Sequence, residues 1–167
     1  MRGFALVLLA CSVTPAMAVD PCTPESIVAR LGTASFTRID KVGGFDEPVL
    51  AEFARAFGTS KTRPLADPGE DFQATDVVGE DSLPWRRLVF GGHAGSITFI
   101  YYEKGGIALS HQLFVACSDG GTVRSYSYLA PLDDREPAKL VRGLRHACMR
   151  TPPLEHLEGP DIERCGS

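Results

Sequence analysis

The stretch YYEKGGIALSHQLFVAC, Tyr101 to Cys117, decides how the chain folds. Two runs rich in aromatic and β-branched residues flank Lys104-Gly105-Gly106, which is a hairpin signal. Side chains alternate between faces along a strand. The second run therefore splits into two rows. Ile107, Leu109, His111, Leu113, Val115 and Cys117 form one, and Ala108, Ser110, Gln112, Phe114 and Ala116 form the other. The first row is the more apolar and is expected to face a core, carrying His111 with it.

Working outward, the chain holds three further strand-like runs, WRRLVF, SITFIYYE and TVRSYSYLA, joined to it by GGHAG, KGG and SDGG. Short glycine-rich connectors between such runs predict an antiparallel meander of four strands. Upstream, CTPESIVARLG reads as a helix capped by Thr23, with Pro24 in its first turn and Gly32 at its end. SFTRID reads as a brief strand. In FDEPVLAEFARAFG, Asp46 is the expected N-cap, and Val49, Leu50, Phe53, Ala56 and Phe57 share one helical face. Phe45 and Leu50 stand at hydrophobic-staple positions, and Gly58 is a stop. Residues 59–84 are irregular and acidic, with a short strand expected around 72–78. They read as a solvated surface segment, or more sharply as an acidic arm for a basic partner. Downstream, DDREPAKLVRGLRHAC predicts a helix capped near Asp134, with Leu140, Val141, Leu144 and Cys148 on its apolar face. The fold class is α+β: a four-stranded antiparallel meander sheet with two N-terminal helices and one C-terminal helix packed on it.

Two-residue turns at Lys104-Gly105 and Asp119-Gly120 set a register. It places Tyr102 opposite Ile107, and Thr98 and Tyr128 on either side of His111. A polar line Thr98–His111–Tyr128 is then expected across an apolar face, and a change of one residue in turn length would destroy it. In the structural reading the two hydroxyls satisfy a core imidazole, since an unpaired buried donor costs about 1–3 kcal/mol. In the functional reading the row lines a pocket where His111 acts as acid or base, with Tyr128 beside it. Ser110 projects to the opposite face and no Gly-x-Ser-x-Gly elbow occurs, so a serine nucleophile is not indicated.

The same register collects Ile97, Phe99, Tyr101, Phe114, Val123 and Leu129 on the second face, among Ser110, Gln112, Ser125 and Ser127. That is too apolar for a solvent face. Either the N-terminal helices cover it, or Phe99, Tyr101, Gln112 and Phe114 bind a protein partner or small ligand.

The 167 residues suit one domain. A formal net charge of −4 and no basic run longer than Arg86-Arg87 argue against nucleic acid as partner. MRGFALVLLACSVTPAMA, residues 1–18, has the charged start, short apolar core and Ala-x-Ala end of a signal peptide, leaving 19–167 as the mature domain. Leu8-Leu9-Ala10-Cys11 offers the alternative of a lipoprotein anchored at Cys11. No run is long enough for a transmembrane helix.

Cys22, Cys117, Cys148 and Cys165 remain after the leader and predict two disulfides. Cys117–Cys148 with Cys22–Cys165 would lock helix to sheet and join the termini. Cys148–Cys165 with Cys22–Cys117 is nearly as good, and sequence does not choose. With no Cys-x-x-Cys pair and scattered histidines (His93, His111, His146, His156), no metal or cofactor is indicated. The expected function is that of a small exported binding protein, periplasmic or secreted and inhibitor- or immunity-like. The alternative is a small secreted hydrolase using His111.

Overall fold

The computed structural model describes residues 20–58, 63–76 and 83–129, with the backbone alone at 128 and 129. The expected leader and the expected C-terminal helix, with Cys148 and Cys165, lie outside the described residues.

Helix α1 (Pro24–Leu31) starts where Thr23 Oγ1 accepts a hydrogen bond from Ser26 N at 3.3 Å. Helix α2 (Glu47–Ala56) starts after Asp46, which holds the N-cap position without a side-chain hydrogen bond. Five strands succeed one another across a single antiparallel sheet. They are β1 (Thr37–Ile39), β2 (Arg86–Ala94), β3 (Ile97–Lys104), β4 (Ser110–Asp119) and β5 (Thr122–Leu129). The α+β class and antiparallel meander are therefore present, with five strands in place of the four expected. SFTRID supplies the extra one, pairing Thr37–Ile39 with His93, Gly92 and Gly91. The strand expected near 72–78 is absent from the described part of that segment. Isolated bridges join Ala66 to Arg87 and Thr75 to Gly106 instead.

GGHAG is not a connector either, because Gly91, Gly92 and His93 lie inside β2. Glycine is needed there for close approach. A Cβ on Gly91 would sit 2.3 Å from the Phe45 ring, and one on Gly92 would sit 2.5 Å from the Phe99 ring, on the other face. The turn itself is Gly95-Ser96, between Ala94 and Ile97.

The register differs from the expected one for a countable reason. The β3–β4 connection is five residues long, closing between Lys104 and Ser110, so Tyr101 opposes Leu113 and Glu103 opposes His111. Relative to a turn at Lys104-Gly105 the pairing slides by an odd number of positions, and every β4 residue changes its companions on β3. At the β4–β5 turn the loop is Gly120-Gly121, both at positive φ, one position later than expected. That slide is even, so the faces are kept.

Both faces are packed. On one, Ile97, Phe99, Tyr101, Leu113, Val115 and Cys117 meet Ile27 and Leu31 of α1. On the other, Ile100, Tyr102, Phe114 and Ala116 meet Val49, Phe53 and Ala56 of α2. Phe53 is fully buried, with its ring edge-on to Phe57, Tyr102 and Phe114 at 4.8, 5.3 and 5.1 Å. A disulfide joins Cys22 to Cys117 and ties the start of α1 to β4. This excludes the Cys117–Cys148 pairing and matches the Cys22–Cys117 bridge of the alternative, whose other bridge, Cys148–Cys165, lies outside the described residues.

A charged contact fastens α2 to β5. Glu52 Oε1 accepts from Ser125 Oγ at 2.7 Å and from Arg55 Nη2 at 2.6 Å. Hydrogen bonding from Arg55 holds the Glu52 carboxyl below its ordinary value of 4.5, with partial burial opposing and Ser125 assisting. A carboxyl depressed in the folded state stabilises above its unfolded value, and that stability is lost as pH falls through the folded value. Denaturant titrations stepped downward from pH 7 should therefore show stability falling below about pH 4.5. Glu52→Gln should make the fall shallower. An unchanged slope in the variant would remove Glu52 as a source of the acid sensitivity.

Candidate functional site

One end of the sheet, where β2 begins, β3 passes into β4 and β5 finishes, gathers most of the chemically active side chains. On the α1 face, Arg87, Glu103 and His111 form a row across three strands. Glu103 Oε2 accepts from Arg87 Nε at 2.9 Å, with Arg87 Nη2 at 2.7 Å. His111 Nε2 lies 3.5 Å from the other carboxylate oxygen. The imidazole stacks on Tyr101, with 5.6 Å between ring centroids. The Arg87 guanidinium lies 4.3 Å over the Phe72 ring, and its Nη1 donates to Glu70 O at 3.4 Å. The row thus binds the segment around residues 70–72 to the sheet.

His111 is where the strand alternation put it, on the face of Leu113, Val115 and Cys117. Its neighbours are not the expected ones. Thr98 lies on the opposite face, with its Oγ1 3.0 Å from His93 Nδ1, and the Tyr128 backbone pairs with Leu113. The polar line Thr98–His111–Tyr128 therefore does not form, because the five-residue loop displaced the register. The Glu103 charge is already matched by Arg87. Among the described residues His111 Nδ1 is buried without a hydrogen-bond partner, and the side chain is only 17% exposed. A general base needs one nitrogen aimed at a reactant. Here one faces a committed carboxylate and the other is closed off from water.

On the α2 face the same end carries a buried hydrogen bond, Tyr102 Oη donating to Gln112 Oε1 at 2.7 Å. The Arg86 guanidinium lies 4.2 Å over the Phe57 ring. Burial pushes the Tyr102 phenol above its ordinary range, with Arg86 opposing. Gln112 is thus fixed inside. The sequence reading grouped Phe99, Tyr101, Gln112 and Phe114 as one candidate binding face. The structure divides them, Phe99 and Tyr101 beneath α1's side and Gln112 and Phe114 beneath α2's, and leaves each 8% exposed or less. The odd register slide explains the division, and cover on both faces explains the burial.

What the end does expose is the β3–β4 loop. Ile107 is 90% exposed and Leu109 48%. Both were expected in the core row, and both leave the sheet because β4 begins only at Ser110. The base of the loop is pinned: Gly105 N donates to Trp85 O at 3.0 Å, and Gly106 N to Ala74 O at 3.4 Å. A Cβ on Gly105 would fall 1.7 Å from Gln73 O, so only glycine lets the two backbones meet. That contact brings the acidic segment, with exposed Asp71 and Asp76, alongside the apolar tip.

One signal in the sequence pointed to this loop. IALSHQLFVAC is three residues longer than its partner run SITFIYYE, and the surplus has no strand to pair with. Arg87 and Glu103 face each other across the β2–β3 hairpin that turns at Gly95-Ser96, a pairing hidden while GGHAG read as the connector.

Among the described residues no group of three His, Cys, Asp or Glu side chains could hold a metal ion, and no helix is long and apolar enough to cross a membrane. No protein-family model, curated protein or solved structure matches the chain.

Proposed function

We propose that the protein is exported to the periplasm or the exterior, and that there it binds a protein partner in an inhibitor- or immunity-like manner through the β3–β4 loop. The observation that carries this reading is Ile107, 90% exposed at the tip of a loop with a hydrogen-bonded base. Burying such a side chain in a partner's apolar slot is worth about 1.5–3 kcal/mol. A pinned loop loses little freedom on docking. Asp71 and Asp76 beside it favour a partner with a basic rim and speed its approach. Export is supported by the leader-like start, and the Cys22–Cys117 disulfide is compatible with an oxidising compartment. The hydrolase alternative gains no support from His111, whose Nδ1 is buried and whose Nε2 faces Glu103. A ligand lying on the sheet face has none from Phe99, Tyr101 or Phe114.

The test uses the oxidised protein as bait beside an Ile107→Ser/Leu109→Ser variant. Both substitutions lie on the surface, so stability should change by no more than about 0.5 kcal/mol for each. A saturable partner retained by the parent and lost by the folded variant is the expected result. A partner held equally by both would place the interface elsewhere. Capture of nothing by either would set the binding reading aside.

A further inference from the structure

Residues 66–75 form a strap that starts beside β2 and ends against the β3–β4 loop. At its start Ala66 N donates to Arg86 O and Leu88 N donates to Ala66 O, each at 2.9 Å. The strap turns through Gly69, at positive φ, and Glu70 closes the turn by accepting from Asp67 N at 2.8 Å and pairing with Arg63. Gln73 N then donates to Pro84 O at 2.9 Å, and Thr75 bridges Gly106. The loop base rests directly on the strap's backbone, since a Cβ on Gly105 would fall 1.7 Å from Gln73 O and 2.9 Å from Ala74 Cα. Yet the hydrogen bond joining them, Gly106 N to Ala74 O, is 3.4 Å long. That exceeds the usual range of about 2.7–3.2 Å, so it is a weak hold. A side chain supplies another. Half-buried Phe72, next to Gln73, lies 4.3 Å beneath the Arg87 guanidinium, whose Nη1 also donates to Glu70 O at 3.4 Å. Glu103 fixes that guanidinium, its Oε2 lying 2.9 Å from Arg87 Nε and 2.7 Å from Nη2.

We infer that Phe72 and Arg87 are positioning residues for the β3–β4 loop. Their cation–aromatic contact, oriented by Glu103, clamps the strap against Gly105 and Gly106 and so keeps the Ile107 tip ordered. The clamp stands on this geometry alone, and its consequence for affinity rests on the docking role proposed for the loop. A loop ordered in advance spends little of its binding free energy on losing freedom. Loosening Phe72 from Arg87 therefore weakens docking while the apolar side chains of the tip stay as they are. A guanidinium on an aromatic face shifts such an opening equilibrium by about fivefold.

Amide exchange and nitrogen-15 relaxation on the full-length oxidised protein read the clamp without any partner. In Phe72→Leu, exchange at Gln73 and Gly106 should quicken by about fivefold and the order parameters of 107–109 should fall, with Ile100 and Val115 unchanged. Phe72→Tyr keeps a ring face and should behave as the parent does. Arg87→Lys keeps a charge facing Glu103 but loses the flat guanidinium, and should match Phe72→Leu. Because the two side chains act as one contact, the double variant Phe72→Leu/Arg87→Lys should exchange no faster than either single variant. The clamp is overturned by effects that multiply in the double variant, by Phe72→Tyr loosening the loop as much as Phe72→Leu, or by a rise that Ile100 and Val115 share. No change in Phe72→Leu overturns it too. Used as bait, folded Phe72→Leu separates this inference from the docking role. A loosened loop that holds the parent's partner undiminished would leave the clamp standing and remove the loop as the docking site.

Discussion

Replacing Cys22 and Cys117 together by alanine is expected to lower the stability of the protein by about 4–5 kcal/mol. The bridge joins residues 95 apart in sequence. Closing so long a loop removes conformational freedom chiefly from the unfolded chain, and the effect grows with the logarithm of loop length. Few other contacts hold α1 in place, since the helix has eight residues and buries only Ile27 and Leu31. A loss of this size is a large fraction of the 5–15 kcal/mol typical of a domain. Urea unfolding of the double variant against the oxidised parent measures it. A difference below about 1 kcal/mol would mean that the unfolded chain is constrained by something other than this bridge.

Phe99→Ala is expected to cost about 3–5 kcal/mol. The ring is 2% exposed and lies between Phe36 and Phe90, with centroids at 5.1 and 5.9 Å and near-perpendicular planes. Truncation removes both edge contacts and leaves a cavity beneath α1 that rigid strands cannot close. The contrast with Ile107→Ser is the informative part, since two large apolar residues of neighbouring segments should differ in effect by several kcal/mol. Chemical denaturation monitored by circular dichroism would show it. A Phe99→Ala protein as stable as its parent would mean that this face is open to solvent and available for recognition.

Local patterns were legible where one element decided its own form. The helical spacing of Val49, Phe53 and Ala56 gave α2, Thr23 marked the start of α1, and paired glycines marked the β4–β5 turn to within a residue. The inward row of His111, Leu113, Val115 and Cys117 also came from alternation alone. What could not be read was set by contacts between distant segments. Gly91 and Gly92 looked like a turn because the rings of Phe45 and Phe99, which require them inside a strand, lie far off in sequence. Lys104-Gly105 looked like a two-residue turn because the partners that hold Gly105 and Gly106 in a wider loop are Trp85 and Ala74. That single misjudged loop rearranged the companions of His111. It hid the pairing of His111 with Glu103 and divided an apparent aromatic face between two covered sides of the sheet.

The burial of the sheet on both faces also bears on how the protein can change. Residues on the strands answer to two packed layers at once, so substitutions there are constrained together. At the rim Ile107 and Leu109 stand largely in solvent. Positions 107–109 can exchange one apolar group for another, or an apolar group for a charged one, with little effect on folding. A lineage carrying this scaffold could therefore shift its choice of partner at the rim while leaving its interior untouched. Divergence among relatives should then concentrate between Gly106 and Ser110.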